Sequence, residues 1–387
     1  MGHFGDHQIS IYVDGMIGGT TPAITTDLAS LEAAAAQVLD PAPLGYIVPS
    51  AGGGSTARAN VAAFERWRIV PRMLRDHATR DLSTEVLGTA MAAPVLLGPV
   101  GVQTLAHPDG ELASARAATA MGLPFVQSTQ ADHSIEQVAE ASGDGARWYQ
   151  LYWPSDPELC ESFLARARAS GYTHLVVTLD TTMLGWRPQD LDRGYLPFLA
   201  NQGIASYTTD PVFNARLEKP ADEDPVGAGI AFAGVFPNPG LSWDQLPWLR
   251  ERWPGPIVLK GVQHVDDARL ARDHGVEGIV VSNHGGRQVD GAVASLDVLP
   301  GIAEAVGDDL CVLFDSGVRS GPDVFKALAL GAEAVLLGRP YLYGLALGGQ
   351  PGVEHVLRCL LAELDLTLGN AGYASHRDLG PEALVRG

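Results

Sequence analysis

From residue 92 onward the chain repeats one unit eight times: a short apolar run that exits into polar or glycine residues, then a helical stretch. The runs fall at 93–99, 125–128, 148–152, 175–180, 257–260, 278–282, 312–315 and 334–338. They are rich in Val, Leu and Ile without polar alternation, as strands buried on both faces must be. The stretches between them carry helix punctuation. Ser134-Ile-Glu-Gln is a capping box, and Gly171, Gly275 and Gly331 stand where helices over 156–170, 266–274 and 323–330 must stop. Strand–helix alternation means a parallel sheet, and eight repeats is the number that closes a (β/α)8 barrel of about 250 residues, the TIM-barrel architecture. An open doubly wound sheet uses the same alternation and is the rival topology.

Two segments lie outside the repeat. Residues 1–91 read as a mostly helical N-terminal extension closing the bottom or side of the barrel. Residues 181–255, after the fourth strand, are far too long for an ordinary βα loop, are rich in Pro and Gly, and contain the acidic stretch Ala221-Asp-Glu-Asp-Pro225. A long loop on that side of a barrel is commonly a lid or a disordered segment. The expected organisation is one domain over 1–387, with the barrel over 92–387 and a lid-like insertion over 181–255.

Composition removes several function classes. Lys and Arg number 26 against 45 Asp and Glu, a net charge of −19, which argues against binding nucleic acid or docking on an anionic membrane. The three cysteines, Cys160, Cys311 and Cys359, are far apart, so neither a disulfide framework nor a zinc knuckle is expected. No His spacing suggests a metal site, and no GxGxxG or GxxxxGK[ST] follows a strand. No apolar run approaches a membrane span, and the first residues have neither the cationic nor the apolar region of a leader. A cytoplasmic protein is expected.

What ends each strand points to chemistry, because barrel active sites are built at the strand C-terminal ends. Gly317-Val318-Arg319 and Gly338-Arg339 put backbone N–H groups and guanidinium forks after strands 7 and 8, where barrels commonly bind phosphate; turn glycines and surface arginines are the bland alternative. In Ser282-Asn-His-Gly-Gly-Arg287, His284 is a candidate general base, with a structural His in a tight turn as the alternative. Asp180, at another strand end, is placed to orient it. Arg187 and Arg287 are candidates for a forked grip on a carboxylate.

These blocks have a family likeness. SNHGGRQ at 282–288, LFDSGVR at 313–319, LGRP at 337–340, YQLY at 149–152, TLD at 178–180, and Tyr46 spaced 14 residues before Asn60 together resemble the FMN-dependent 2-hydroxy-acid oxidase family over nearly the whole chain. GWRPQD at 185–190 and SYTTDPVF at 206–213 look most like lactate 2-monooxygenase within it.

The resemblance implies FMN across the barrel mouth. Pro99, Val100 and Gly101 would pass beside the isoalloxazine near N5, and Ser128, Gln150 and Thr178 would meet ring edges. Lys260 would face N1 and O2, and Ser282 the ribityl or ring region. Asp315, Gly317, Arg319, Gly338 and Arg339 would hold ribityl and phosphate. It further implies a substrate carboxylate on Arg187, Arg287 and Tyr46, a substrate hydroxyl on Tyr152, His284 as base and Asp180 as its partner. The implied reaction is oxidation of a small L-2-hydroxy acid with dioxygen by a homo-oligomer, a tetramer or octamer. For L-lactate the monooxygenase outcome is acetate, CO2 and water; the alternative is a plain oxidase releasing the 2-oxo acid and H2O2, with lactate, glycolate or a mandelate-like acid as substrate. Gly101 bears on that choice, since Ala is frequent at the matching position and Gly would give caged products more room; a glycine that merely allows close backbone approach, with the insertion as packing surface, is the alternative. Pro49-Ser50 and Gly53-Gly54 depart from the family pattern after the tyrosine and put the placement of Tyr46 in question.

Overall fold

The computed structural model describes residues 3–387; residues 1–2, where the stretch read for a leader begins, lie outside the described residues. Eight parallel strands close into a barrel: β1 (Val95–Leu97), β2 (Phe125–Ser128), β3 (Arg147–Leu151), β4 (His174–Thr178), β5 (Ile257–Val262), β6 (Gly278–Val281), β7 (Cys311–Phe314) and β8 (Ala334–Leu337). Each strand pairs with its sequence neighbours, and β8 returns to β1 through Val335 on Val95 and Leu337 on Leu97. The open-sheet alternative is thereby excluded.

Side chains alternate across each strand. Leu96, Val126, Trp148, Val176, Val258, Val280, Leu313 and Leu336 form a core inside the barrel, separate from the larger core beneath the helices. Two residues further along each strand, the same inward direction belongs to Gly98, Ser128, Gln150, Thr178, Lys260, Ser282, Asp315 and Gly338. The barrel is thus apolar at its base and polar at its mouth by a single step of the strand period.

The N-terminal segment is less helical than expected. Trp67–Ile69 pairs antiparallel with Leu384–Arg386, and Thr84–Val86 pairs with Thr89–Met91 in a hairpin. Leu87 and Gly88 form its turn at φ +50° and +81°, the two positive values of a type I′ turn, where a Leu in place of Asn hides the usual signal. This hairpin, not a helix, closes the barrel base. Val86 and Met91 join the interior core, the Thr89 hydroxyl accepts from Trp148 Nε1 at 3.2 Å, and the Leu87 carbonyl meets His174 Nε2 at 2.9 Å.

The insertion is folded. Its helices include Pro188–Arg193, Ala205–Thr208, Pro211–Asn214 and Pro225–Val235. The acidic stretch caps the last of these, with the Asp224 carboxylate accepting from Gly227 N. Tyr207 sits edge-on to Phe163, Phe213 and Phe232 at 4.9 to 5.6 Å, pairings each worth about 0.5–1.5 kcal/mol beyond simple burial. Arg166 ties this layer to the barrel through Asp210 and the Ser206 carbonyl. Among the described residues no helix is long and apolar enough to cross a membrane.

Candidate active site

One cavity occupies the strand C-terminal mouth. Its wall includes Tyr46, Pro99, Val100, Gly101, Tyr152, Arg187, Lys260, His284, Arg287, Asp315, Gly317, Arg319, Gly338 and Arg339. Ser128, Gln150, Thr178, Asp180 and Ser282 stand just behind that surface, all buried except Asp180, which is partly so.

The β6 exit is the most constrained part. His284, Gly285 and Gly286 have φ of +58°, +62° and +78°; three left-handed residues in succession turn the chain sharply and aim the imidazole into the cavity. The Ser316 hydroxyl accepts from Asn283 N and Gly285 N, and Asn283 exchanges paired amide bonds of 2.8 Å with Asn60. His284 Nδ1 meets Asp180 Oδ1 at 2.8 Å. Thr181, which sequence reasoning missed, donates to the same oxygen at 2.9 Å and lies 3.2 Å from Nδ1. With Nδ1 engaged, Nε2 is the nitrogen left for a ligand. Burial lowers the His284 pKa below the ordinary value, opposed by Asp180. Burial would raise Asp180, but His284, Lys260 and Thr181 outweigh it and hold the carboxylate low. The resting pair is therefore a neutral imidazole on an ionised carboxylate, with proton capacity on the imidazole.

Cationic groups crowd the other side. Burial, with Arg187 and Arg339 nearby, pushes Arg287 down to about 9, and burial lowers Arg339 as well. Guanidinium stays protonated at neutral pH, so this clustered positive charge favours an anion in the cavity. Arg187 Nη2 donates to Gln288 Oε1 at 2.9 Å. Arg287 donates to the carbonyls of Tyr46 and Pro49 at 2.9 and 2.8 Å, and its guanidinium lies 5.2 Å over the Tyr46 ring. Tyr46 is therefore not displaced by the Pro49-Ser50 and Gly53-Gly54 departures: Pro49 supplies a carbonyl to Arg287 and Arg339, and Gly53 N donates to Asp290 at 2.7 Å.

Several features fit a flavin mononucleotide. Gln150 Oε1 accepts from Ser128 Oγ and Thr129 N, while its buried Nε2 finds no partner among the described residues. Lys260 Nζ is held 2.9 Å from both Ser282 Oγ and Asp315 Oδ2, and burial's lowering of its pKa is outweighed by Asp315 and Asp180. A Cβ built at Gly338 would meet only Val100, at 3.9 Å. The protein itself leaves that space open, at the start of the helix Arg339–Ala371 beside Arg319 and Arg339, where a phosphate is favoured.

Gly101 does not behave as expected. A Cβ there would lie 2.7 Å from the Gln130 carbonyl oxygen and 2.9 Å from Gln130 Cβ, so glycine answers to packing against Gln130 rather than to room in the cavity. Sequence reasoning also missed Gln130, Leu184, Phe198 and Phe236, which line the cavity as well. All but Gln130 come from the insertion, and Phe236 stacks edge-on to Tyr152 at 5.5 Å.

The model of the FMN-dependent dehydrogenase family matches residues 35–386. The chain is 48% identical to the FMN-dependent alpha-hydroxy acid dehydrogenase qulF of Penicillium citrinum, over 99% of this chain and 96% of the relative. It is 43% identical to an L-lactate oxidase of Lysinibacillus sphaericus, over 92% of each, and 42% identical to human 2-Hydroxyacid oxidase 1, over 87% of this chain and 90% of the relative. Mandelate oxidase crystallised with (S)-4-hydroxymandelic acid superposes with a TM-score of 0.83 at 37% identity, over 93% of this chain and 98% of that one. With a closed barrel, a phosphate-ready strand end and these relatives in hand, the chain belongs to the FMN-dependent dehydrogenase family and is an FMN-dependent oxidoreductase.

Proposed function

We propose that this protein oxidises a small L-2-hydroxy acid to the 2-oxo acid, with dioxygen as final acceptor. The observation that carries the reading is the His284–Asp180 pair sharing one cavity with the guanidinium groups of Arg187 and Arg287, neither of which is ion-paired directly among the described residues. When bound, FMN supplies a two-electron acceptor that dioxygen reoxidises. Ser128, Gln150, Thr178, Lys260 and Ser282 would hold its ring, Pro99, Val100 and Gly101 would flank it, and Asp315, Gly317, Arg319, Gly338 and Arg339 would hold the ribityl chain and phosphate. Lys260 would supply positive charge to stabilise a reduced, anionic ring. Arg187, Arg287 and Tyr46 receive the carboxylate, and Tyr152 orients the hydroxyl. Burial raises the Tyr152 pKa far above the ordinary phenol value, so it serves as a neutral donor. Nε2 of His284 takes the substrate proton, and the imidazolium so formed is stabilised in place by Asp180.

The plain-oxidase outcome is supported by relatives named as oxidases. A decarboxylating, lactate 2-monooxygenase outcome keeps support from the insertion, whose Leu184, Phe198 and Phe236 cover one side of the cavity in the manner of a lid slowing release. Held against peroxide, pyruvate yields acetate, CO2 and water. Mass-resolved product analysis over a panel of L-2-hydroxy acids separates the outcomes, and a yellow holoprotein that no member of the panel bleaches without oxygen overturns the whole proposal. Assembly as a tetramer or octamer and a cytoplasmic location belong to the same proposal. The first rests on the family likeness; the second is supported by three buried free thiols.

Gly101→Ala is expected to lower stability by about 1–3 kcal/mol through the clash with Gln130, leaving the ratio of products unchanged. Thermal midpoints and product analysis check this; an undisturbed midpoint with altered products restores the cavity-room argument.

The pH dependence follows from the base. Because burial holds the folded pKa of His284 below the ordinary imidazole value, kcat/KM is lost only as pH falls through that lower value. Asp180→Asn removes a group that raises the pKa, so the acid limb moves to still lower pH while the plateau rate drops. An acid limb moving upward in this variant contradicts the assignment.

A further inference from the structure

The first helix, Asp6–Met16, lies along the C-terminal helix without burying a side chain. Ile9, Tyr12, Val13 and Met16 are all exposed, so apolar burial does little to hold it. Where the two helices meet, His7 of the first faces His355 and Cys359, one turn apart on the second. Their ligand atoms all lie within 4.8 Å of one another, the one such trio among the described residues. His355 Nε2 stands 3.6 Å from Cys359 Sγ. The corresponding edge of a tetrahedral zinc site, with Zn–N about 2.0 Å and Zn–S about 2.3 Å, is about 3.5 Å. His7 Nε2 is buried and has no partner among the described residues. His355 Nε2 also lies 3.1 Å from the Thr25 carbonyl oxygen, a hydrogen bond that is given up when the nitrogen takes a metal.

We propose that His7, His355 and Cys359 form a binding site for a transition-metal cation of borderline softness, Zn2+ above all, which clamps the first helix to the C-terminal helix. Two imidazoles and a thiolate exclude Mg2+ and Ca2+, which take oxygen ligands. The Arg358 charge beside the site is engaged by Glu354 at 2.9 Å. Metal binding displaces the Cys359 thiol proton to solvent: the S–H bond is lost, a metal–sulfur bond forms, and no electron is transferred. None of the three residues lines the cavity at the barrel mouth, so the site acts on the helix and not on turnover. This separates it from the metal-free expectation drawn from sequence spacing, which searched for ligands close together in the chain.

The test is titration of chelator-treated, FMN-loaded protein with Co2+, followed by Zn2+. One equivalent of Co2+ is expected to give tetrahedral d–d bands to the red of the flavin absorption and a thiolate charge-transfer band, all displaced by Zn2+. Cys359→Ser is expected to lose the charge-transfer band. His7→Gln, a half-buried and tolerant position, is expected to lose the tetrahedral intensity, which keeps the test open if Cys359→Ser disturbs packing. Amide exchange over residues 6–16 is expected to slow with Zn2+ in the wild type and not in His7→Gln, with flavin reduction by substrate unchanged in both. Absence of Co2+ bands in the wild type, or bands that persist unaltered in His7→Gln, overturns the proposal.

Discussion

His284→Asn is expected to leave a yellow, FMN-loaded protein whose anaerobic bleaching by a 2-hydroxy acid is slowed about 10²–10⁴-fold, the usual worth of a positioned general base. Asn is the informative choice because residue 284 sits at φ +58°, and Asn tolerates the left-handed region better than most residues. His284→Ala removes the same imidazole but puts a residue less favoured than His or Asn into the left-handed region, so it is expected to be the less stable of the two. If both variants bleach slowly while only Ala melts early, chemistry and folding are separated. Bleaching at the wild-type rate in His284→Asn would show that the proton leaves by another route.

Arg287→Met carries the second large effect. It removes a charge at the cavity wall that forms no direct ion pair with a carboxylate among the described residues and feels only the more distant Asp190, so its loss falls chiefly on the bound anion. Truncating one member of a buried charge pair costs about 2–5 kcal/mol, a fall in kcat/KM of roughly 30- to several-thousand-fold. The decisive comparison is between a 2-hydroxy acid and its neutral amide. The wild type is expected to prefer the acid strongly, and Arg287→Met to lose most of that preference. A variant that still discriminates acid from amide as the wild type does would move carboxylate recognition onto Arg187 alone. Flavin absorbance reports separately whether the Tyr46–Pro49 carbonyls that Arg287 also binds need it for cofactor retention.

The barrel was legible because its strands are continuous apolar runs ending in residues that cannot be buried without partners. The same two-residue step that makes Val258 interior core makes Lys260 part of the mouth. The β6 exit was legible because its chemistry is contiguous, from Ser282 to Arg287. Features assembled from afar were not. The base hairpin was hidden by Leu87 in a turn position usually held by Asn. Thr181 carries no motif, and its importance arises from the approach of β4 to β6 that puts its hydroxyl against both Asp180 and His284. Phe198 and Phe236 stand in an insertion whose spacing gives no clue to which face it presents. For Gly101 the choice between cavity room and close backbone approach stayed open in the sequence, because a glycine's missing Cβ points in a direction that only coordinates reveal. His7 and His355 lie at opposite ends of the chain, beyond the reach of any spacing rule.

The cavity is walled from stretches far apart in the chain. The tips of the strands supply Lys260, His284 and Asp315, whereas the folded insertion supplies Leu184, Arg187, Phe198 and Phe236. The same insertion opens with Thr181, whose hydroxyl braces both Asp180 and His284. A change of contour in that cassette is therefore felt at the proton acceptor as well, which ties the shape of the chamber to its chemistry.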